Sequence, residues 1–183
     1  MAVKRIFRYL QGTLQMKLQF GATPSKEVRG YCDADWGGDL EDRRSTIGFV
    51  FMIGGGAISW SSKRQPTIAL STTEAEYMAN MQATKEAIWI TKLMMDLGYM
   101  EEKKMMVIRC DNQGAISLTK NPTHHVRTKH IDVQHHFVRE RVENGEVQFE
   151  YCPTEHMVAD VLTKALSKER HHKLINMFGL ETS

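Results

Sequence analysis

Three strand-like runs follow one another before the first long helical pattern, and this order limits the folds that the chain can adopt. The runs cover residues 28–33, 46–53 and 57–61, and the turn signals E-D-R-R-S and G-G-G separate them. Consecutive strand-like runs separated by turn signals are typical of an antiparallel meander. The first half of the chain therefore predicts three neighbouring antiparallel strands.

A long helix and two further strands follow. Helical periodicity begins at the N-cap candidates Ser71, Thr72 and Thr73 and continues to Leu97, where Gly98 ends it. Strand-like runs then cover residues 105–110 and 146–152, and helical patterns cover 112–120, 131–143 and 154–166. The order βββαβααβα predicts an α/β fold with a mixed five-stranded sheet, three antiparallel strands first and then two parallel crossovers, and with helices packed on it.

Composition excludes several classes of protein. Hydrophobic residues make up 42% of the 183 residues and charged residues 25%, which is typical of a globular protein and not of a disordered or fibrous one. No apolar run approaches the ~20 residues that a membrane span requires. The basic start has no signal-peptide pattern, and Cys32, Cys110 and Cys152 have no paired spacing. We therefore expect an intracellular protein with reduced cysteines and no membrane partner.

The distribution of charge indicates more than the net charge of +2. Between Asp111 and Asp132 there is no acidic residue, and this window contains Lys120, Arg127 and Lys129. A second acid-free window, residues 58–73, contains Lys63 and Arg64. Basic loops beside isolated acids are consistent with a polyanion held near a metal. A solvated surface with chance clustering explains the same pattern equally well.

Two acids occupy the ends of predicted strands. Asp33 ends the first strand-like run, and Asp111 directly follows the fourth. The carboxyl ends of strands are where α/β sheets build their sites. Asp35 has the same strand parity as Asp33 but approaches the W-G-G turn. It is therefore interpreted as a turn residue or a supporting carboxylate.

Helical geometry separates the two acids of the long helix. At ~100° per residue, Glu74 shares the solvated face of Lys85, Lys92 and Asp96. Glu76 instead belongs to an apolar stripe, whose other members are Ala79, Ala83, Ala87, Ile90 and Met94. A buried acid without a partner is costly, and a metal ion would supply the partner. Glu76 is therefore predicted to be functional, and Glu74 to be a surface residue or a partner of the helix dipole in the first turn.

A fourth acid, Asp160, borders the apolar stripe of the last predicted helix. Taken alone, Asp160 would be a structural or solvated residue. Together with Asp33, Glu76 and Asp111 it forms a set of carboxylates from separate elements, which is the type of donor set that Mg²⁺ prefers. Two such ions about 4 Å apart activate a water molecule and stabilise the leaving oxygen in phosphodiester hydrolysis.

Ordered motifs over nearly the whole chain resemble the ribonuclease H domain of copia-type LTR retrotransposon Pol polyproteins. These motifs are G-Y-C-D-A-D-W-G-G-D, D-R-R-S-T-I-G, A-L-S-T-T-E-A-E-Y-M-A, C-D-N-Q-G-A-I, R-T-K-H-I-D-V-Q-H-H-F-V-R-E and A-D-V-L-T-K-A-L. The start, A-V-K-R-I-F-R-Y-L-Q-G-T-L, is similar to the last part of the preceding reverse transcriptase connection region. The resemblance implies a connection remnant and linker at 1–26 and a ribonuclease H-like domain at 27–183.

That resemblance implies hydrolysis of the RNA strand of RNA–DNA hybrids by a two-metal-ion mechanism, giving 5′-phosphate and 3′-hydroxyl ends. The cofactor would be two Mg²⁺ ions, with Mn²⁺ as a substitute. Carried over by motif, Asp33 would bridge both ions, Glu76 and Asp111 would complete one site, and Asp160 the other. All four acids are present. His156 precedes Asp160 by about one turn and is a candidate for the mobile histidine of cellular ribonucleases H.

The resemblance also suggests nucleic-acid contacts and partners. Hydroxyl and backbone groups of Ser71, Thr72 and Thr73, with Asn112 and Gln113, would contact the hybrid and read 2′-hydroxyls. The candidate phosphate contacts are Lys63, Arg64, Arg127 and Lys129. The partners would be an RNA–DNA hybrid and the reverse transcriptase domain of the same polyprotein, in a cytoplasmic virus-like particle or in the nucleus.

Two other functions remain as alternatives. One is a catalytically inactive retroelement-derived module that binds nucleic acid or protein, and the four intact acids argue against it. The other is an integrase or transposase with the same sheet. That chemistry usually needs three acids and additional DNA-binding domains, which makes it the weaker alternative.

Overall fold

A computed structural model describes residues 2–21, 27–39, 41–120 and 129–182, except for the side chains of residue 2 and residues 129–135. The strands are β1 (Met16–Leu18), β2 (Arg29–Asp35), β3 (Thr46–Ile53), β4 (Gly56–Arg64), β5 (Met106–Cys110), β6 (Val147–Tyr151) and β7 (Leu180–Thr182). The α-helices are α1 (Ala2–Gly12), α2 (Thr72–Asp96), α3 (Gln113–Lys120), α4 (Lys129–Glu143) and α5 (Lys168–Met177). Two short 3₁₀ helices cover Thr154–His156 and Val158–Leu162.

The main sheet has five strands in the order β4-β3-β2-β5-β6. The pairs β2–β3 and β3–β4 are antiparallel, whereas β2–β5 and β5–β6 are parallel. This arrangement confirms the predicted α/β fold with its mixed sheet. Because β2 and β5 run in the same direction side by side, the residues at their carboxyl ends meet at one edge of the sheet.

Both faces of the sheet are covered. On one face, α2 contributes its alanine stripe to the main core, and Ala79, Ala83 and Ala87 are almost inaccessible to solvent. Small side chains at these positions let the helix axis lie close to the strands. Residues 154–182, called the C-terminal segment below, lie on the other face. Val158 and Phe178 of this segment pack against β3. The C-terminal segment therefore lies across the sheet from α2.

Residues 2–21 lie outside the five-stranded sheet. The first eleven of them form α1. Strand β1 then pairs with β7 in a separate two-stranded sheet, with Lys17 opposite Glu181. Neither short strand was predicted, because three residues are too few to show an alternating pattern.

The prediction of one final helix over residues 154–166 is wrong. The chain forms the two 3₁₀ helices there, and Met157 between them has an extended conformation. The regular helix α5 begins only after Ser167, whose hydroxyl accepts a hydrogen bond from the Arg170 amide at 3.3 Å. Met157 divides the predicted helix because its backbone is extended, which the apolar spacing of Val158, Val161 and Leu162 did not reveal.

Gly48 of β3 lies opposite Asp33 of β2 and under the C-terminal segment. A Cβ atom at Gly48 would lie 2.8 Å from side-chain atoms of both Leu162 and Thr163. We expect Gly48→Ala to lower the free energy of unfolding by about 1–3 kcal/mol, because the tightly packed segment must shift. Chemical denaturation measures this change. Gly12→Ala is the control, since a Cβ there has no neighbour within 4 Å; equal stability of both variants would contradict the close approach.

Within the described part of the chain, no helix combines the length and the apolar character that crossing a membrane requires.

Candidate active site

Three aspartates converge at one edge of the main sheet. Asp33 lies in β2, Asp111 directly follows β5, and Asp160 lies in the second 3₁₀ helix. One carboxylate oxygen from each of the three residues lies within 4.8 Å of the other two. Asp33 and Asp160 are fully buried and Asp111 is half-buried. This cluster, called the aspartate triad below, could hold a divalent metal, since hard cations prefer oxygen ligands.

The fold explains how these distant residues meet. The parallel pairing of β2 with β5 brings the chain at Asp33 beside the chain at Asp111. Asp160 reaches them because the C-terminal segment is fixed over β3 and β4. The Ser62 hydroxyl of β4 donates a 2.6 Å hydrogen bond to the carbonyl oxygen of Leu162. The absence of a side chain at Gly48 lets the same segment approach β3 closely.

Glu76 lies in the second turn of α2. It is 5% exposed, and burial raises its pKa to about 10, with further contributions from the charges of Asp33, Cys110 and Asp111. Glu76 is therefore protonated at neutral pH in the metal-free protein. The expected burial of Glu76 on the helix stripe is confirmed, while its role as a metal ligand stays a prediction.

Glu74 has a different local role. Its carboxylate accepts a 2.8 Å hydrogen bond from the Leu70 amide, and its own amide donates to the Ser71 hydroxyl at 3.1 Å. These two bonds stabilise the start of α2, as in a capping box. The separation of a buried Glu76 from a helix-capping Glu74 agrees with the helical geometry of the sequence.

Two basic residues that sequence analysis did not identify neutralise the buried aspartates. The Lys164 ammonium lies 2.8 Å from Asp33 Oδ1 and 3.0 Å from Asp160 Oδ1. Arg170 donates to Asp160 Oδ2 and also to the carbonyl oxygen of Thr154, the latter at 2.8 Å. The spacing of four residues between Asp160 and Lys164 was a local signal for one of these pairs.

The pKa values in this cluster follow from burial and from these contacts. Burial raises the pKa of Asp33, and the Lys164 ammonium and the Thr163 hydroxyl, which donates to Asp33 Oδ2, only partly offset that effect. Burial alone would lower the pKa of Lys164, but the carboxylates of Asp33 and Asp160 outweigh it and raise that pKa. Lys164 therefore stays charged in contact with the two aspartates.

Hydroxyl groups complete the contacts of the aspartate triad. The Thr154 hydroxyl donates a 2.8 Å hydrogen bond to Asp111 Oδ2. Thr154 and Thr163 were not predicted as site residues, because their contacts join residues that are 43 and 130 positions apart.

His156 is 52% exposed, and its Nε2 atom lies 3.3 Å from the Glu155 carboxylate. Its proposed function as a mobile histidine stays a prediction.

The amino ends of α2 and α3 lie side by side near the triad. A Cβ atom at Gly114 would lie 3.1 Å from Asn112 Oδ1 and 3.2 Å from Thr73 Oγ1, so these two side chains share one surface. Asn112 Oδ1 caps α3 by accepting from the Ala115 amide at 2.9 Å. The remaining hybrid-contact candidates of these helix ends, Ser71, Thr72 and Gln113, are exposed.

The basic candidates for phosphate contact lie at the end of β4 or have side chains outside the described residues. Lys63 and Arg64 are exposed at the end of edge strand β4 and not in a loop as expected. Arg64 pairs with Asp39 at 3.0 Å and with Asp42 at 3.1 Å. Arg127 and the side chain of Lys129 lie outside the described residues.

The fold is that of the ribonucleases H, and the aspartate triad lies at the edge where the carboxyl ends of its parallel strands meet. The structure of LC11-RNase H1 isolated from compost aligns with a TM-score of 0.55 at 17% identity, covering 82% of this chain and 99% of that chain. The crystal structure of LC11-RNase H1 in complex with RNA/DNA hybrid aligns with a TM-score of 0.53, also at 17% identity, covering 75% and 94%. At this identity the likeness establishes the fold.

Sequence comparison identifies the relatives more closely. The retrovirus-related Pol polyprotein from transposon TNT 1-94 of Nicotiana tabacum is 42% identical over 182 residues, which is 100% of this chain and 14% of the polyprotein. The Pol polyprotein from transposon RE1 of Arabidopsis thaliana is 38% identical over 179 residues, which is 98% of this chain and 12% of the polyprotein. No protein-family model matches the chain. The chain is thus homologous to a segment of the retrovirus-related Pol polyproteins of plant transposons and has the ribonuclease H fold.

Proposed function

We propose that this chain is the ribonuclease H domain of a copia-type LTR retrotransposon Pol polyprotein and that it hydrolyses the RNA strand of RNA–DNA hybrids during reverse transcription. The observation that carries this proposal is the aspartate triad, with one oxygen of Asp33, Asp111 and Asp160 within 4.8 Å of the others on a ribonuclease H fold. A structural neighbour, LC11-RNase H1, is described in complex with an RNA/DNA hybrid, which supports the substrate class.

The donor set fits Mg²⁺, with Mn²⁺ as a substitute, because the cluster offers carboxylate oxygens from separate rigid elements. Asp33, Glu76, Asp111 and Asp160 would hold two such ions. When bound, the ions would supply activation of a water molecule and stabilisation of the leaving oxygen, giving 5′-phosphate and 3′-hydroxyl ends. The chain's own residues orient these ligands: Thr154 holds the Asp111 carboxylate and Thr163 holds that of Asp33.

The hybrid would lie across the amino ends of α2 and α3. Both ends present amide groups and hydroxyl or amide side chains, which suits phosphate and 2′-hydroxyl contacts. The residues proposed for these contacts are Ser71, Thr72, Thr73, Asn112 and Gln113. Lys63, Arg64, Arg127 and Lys129 are proposed to contact more distant phosphates.

We infer that residues 1–26 are the end of a reverse transcriptase connection region and its linker, and that residues 27–183 are the nuclease domain. The position of α1 outside the five-stranded sheet supports this division. The partner would be the reverse transcriptase domain of the same polyprotein. The complex would act inside the cell, in a cytoplasmic virus-like particle or in the nucleus.

A comparison of the cleavage of four nucleic-acid substrates tests this function. An end-labelled RNA–DNA hybrid, a double-stranded DNA, a double-stranded RNA and a single-stranded RNA of the same sequence are incubated with the protein and Mg²⁺. We expect cleavage of the RNA strand of the hybrid alone, with 5′-phosphate ends on the downstream fragments. Cleavage of all four substrates at similar rates, or of none, would contradict the proposal.

Charge reversal at Lys63 should weaken hybrid binding more at low salt than at high salt. Each phosphate contact that is lost lowers the slope of log affinity against log salt by about 1. We therefore expect Lys63→Glu to reduce both the affinity and this slope in fluorescence-anisotropy titrations with Ca²⁺ in place of Mg²⁺. Lys85→Glu, on the solvated face of α2, is the matched control; the same loss in both variants would indicate a nonspecific effect of net charge.

A further inference from the structure

Both oxygens of each buried aspartate accept from the C-terminal segment. Asp33 Oδ1 accepts from Lys164 at 2.8 Å, and Asp33 Oδ2 accepts from the Thr163 hydroxyl. Asp160 Oδ1 accepts from Lys164 at 3.0 Å, and Asp160 Oδ2 accepts from Arg170. The Lys164 ammonium thus bridges the two fully buried members of the aspartate triad.

A divalent ion and the Lys164 ammonium would compete for the same place, because two cations held between Asp33 and Asp160 repel each other strongly at short distance. A metal held by both aspartates would therefore displace the donor that is positively charged and free to move. The Thr163 hydroxyl is fixed close to the backbone, and Arg170 is also held by the carbonyl oxygen of Thr154. Lys164 has a flexible four-carbon stem, and 30% of its side chain is exposed, so it can swing into solvent.

We propose that Lys164 is an internal competitor of the divalent metal, which neutralises Asp33 and Asp160 in the metal-free protein and must leave them when the metal binds. This inference rests on the proposed function, because it takes the two aspartates as metal ligands. Lys164 is then a positioning residue with two effects. It stabilises the metal-free fold against the cost of two buried charges, and it weakens the apparent metal affinity.

The size of the change in apparent metal affinity follows from the fraction of protein molecules in which Lys164 has left the two aspartates. The apparent dissociation constant equals the intrinsic constant divided by the fraction of protein in which the lysine has left. If Lys164 occupies the aspartates about nine-tenths of the time, its removal makes metal binding about ten-fold tighter.

Titration with Mn²⁺ alone, by calorimetry or by electron paramagnetic resonance of the free ion, tests the competition on the full chain. We expect Lys164→Met to bind Mn²⁺ about ten-fold more tightly than the wild type. Its metal-free form should melt at a lower temperature, and Mn²⁺ should raise its melting temperature by more than that of the wild type. Lys173→Met, which removes an exposed lysine of α5, is the control and should match the wild type. Equal or weaker binding by Lys164→Met would overturn the proposal.

A measurement on the unaltered protein avoids any dependence on the folding of the variant. Acetylation of lysines is followed by mass spectrometry with and without Mg²⁺. We expect the reactivity of Lys164 to rise with Mg²⁺ while that of Lys173 stays constant, because the Lys164 ammonium would no longer be paired with Asp33 and Asp160. Unchanged reactivity of Lys164 at Mg²⁺ concentrations that support hybrid cleavage would overturn the competition alone. Failure of both the wild type and Lys164→Met to bind Mn²⁺ would overturn the metal site as well.

Discussion

Replacement of Asp33 by Asn should reduce cleavage of an RNA–DNA hybrid by about 1,000-fold or more, because the substitution removes the charge of a proposed metal ligand at nearly constant volume. Asp33 is fully buried, and one of its carboxylate oxygens lies within 4.8 Å of an oxygen of both Asp111 and Asp160. The fold should persist, since Lys164 keeps its contact with Asp160. Single-turnover cleavage rates, with circular dichroism to verify folding, measure this effect.

The matched control is a variant of Asp35, which lies two residues after Asp33 in β2. Asp35 is half-buried and is not part of the aspartate triad. Asp35→Asn should therefore retain a cleavage rate within about ten-fold of the wild type, as expected for a carboxylate that does not touch the reacting groups. Comparable losses in Asp33→Asn and Asp35→Asn would contradict the assignment of Asp33 as the ligand that β2 contributes.

The stability of the metal-free protein should fall as pH rises, and Glu76 should be responsible for much of that slope. Its pKa is about 10 in the folded protein, against 4.5 for an unperturbed glutamate, chiefly because of burial. Between these values the folded state holds a proton that the unfolded state has lost. The stabilising contribution is thus fully present below about 4.5 and is lost as pH rises through about 10, at up to ~1.4 kcal/mol per pH unit.

Glu76→Gln removes the ionisable group and should flatten this slope. We expect the variant to gain stability relative to the wild type by about 1 kcal/mol for each pH unit between pH 6 and pH 9, in denaturant titrations with EDTA present. Glu74→Gln is the control, because Glu74 caps the helix and is not buried among the other acids. Parallel pH profiles for Glu76→Gln and the wild type would contradict the buried, protonated state of Glu76.

Local patterns were sufficient for the sheet and for the choice between two glutamates. The strands show alternating apolar and polar residues or lie next to turn signals. Helix α2 has 25 residues, and its buried residues recur at helical spacing. That period alone distinguished buried Glu76 from Glu74. The position of Asp33 and Asp111 at or near the carboxyl ends of strands also followed from sequence, whereas the pairing of these two strands came from the structure.

Features that depend on contacts between distant residues were not predictable from these patterns. Asp160 joins the triad through a 3₁₀ helix whose apolar spacing suggested a regular helix. Arg170 reaches Asp160 only because α5 starts after Ser167 and folds back on the 3₁₀ segment. Likewise, Lys164 contacts Asp33 across 131 positions of sequence. Apart from the four-residue spacing of Asp160 and Lys164, the contacts of these cations became visible only once the chain was folded.

The most direct test of the account is cleavage of a labelled RNA–DNA hybrid by the wild type and by Asp111→Asn, each with Mg²⁺, with Mn²⁺ and with EDTA. Asp111 is the half-buried member of the triad, so its substitution should disturb folding least. We expect cleavage by the wild type with Mg²⁺ or Mn²⁺, none with EDTA, and none by Asp111→Asn under any condition. Equal degradation of the hybrid by both proteins, or cleavage that continues in EDTA, would contradict a metal-dependent nuclease built on these carboxylates.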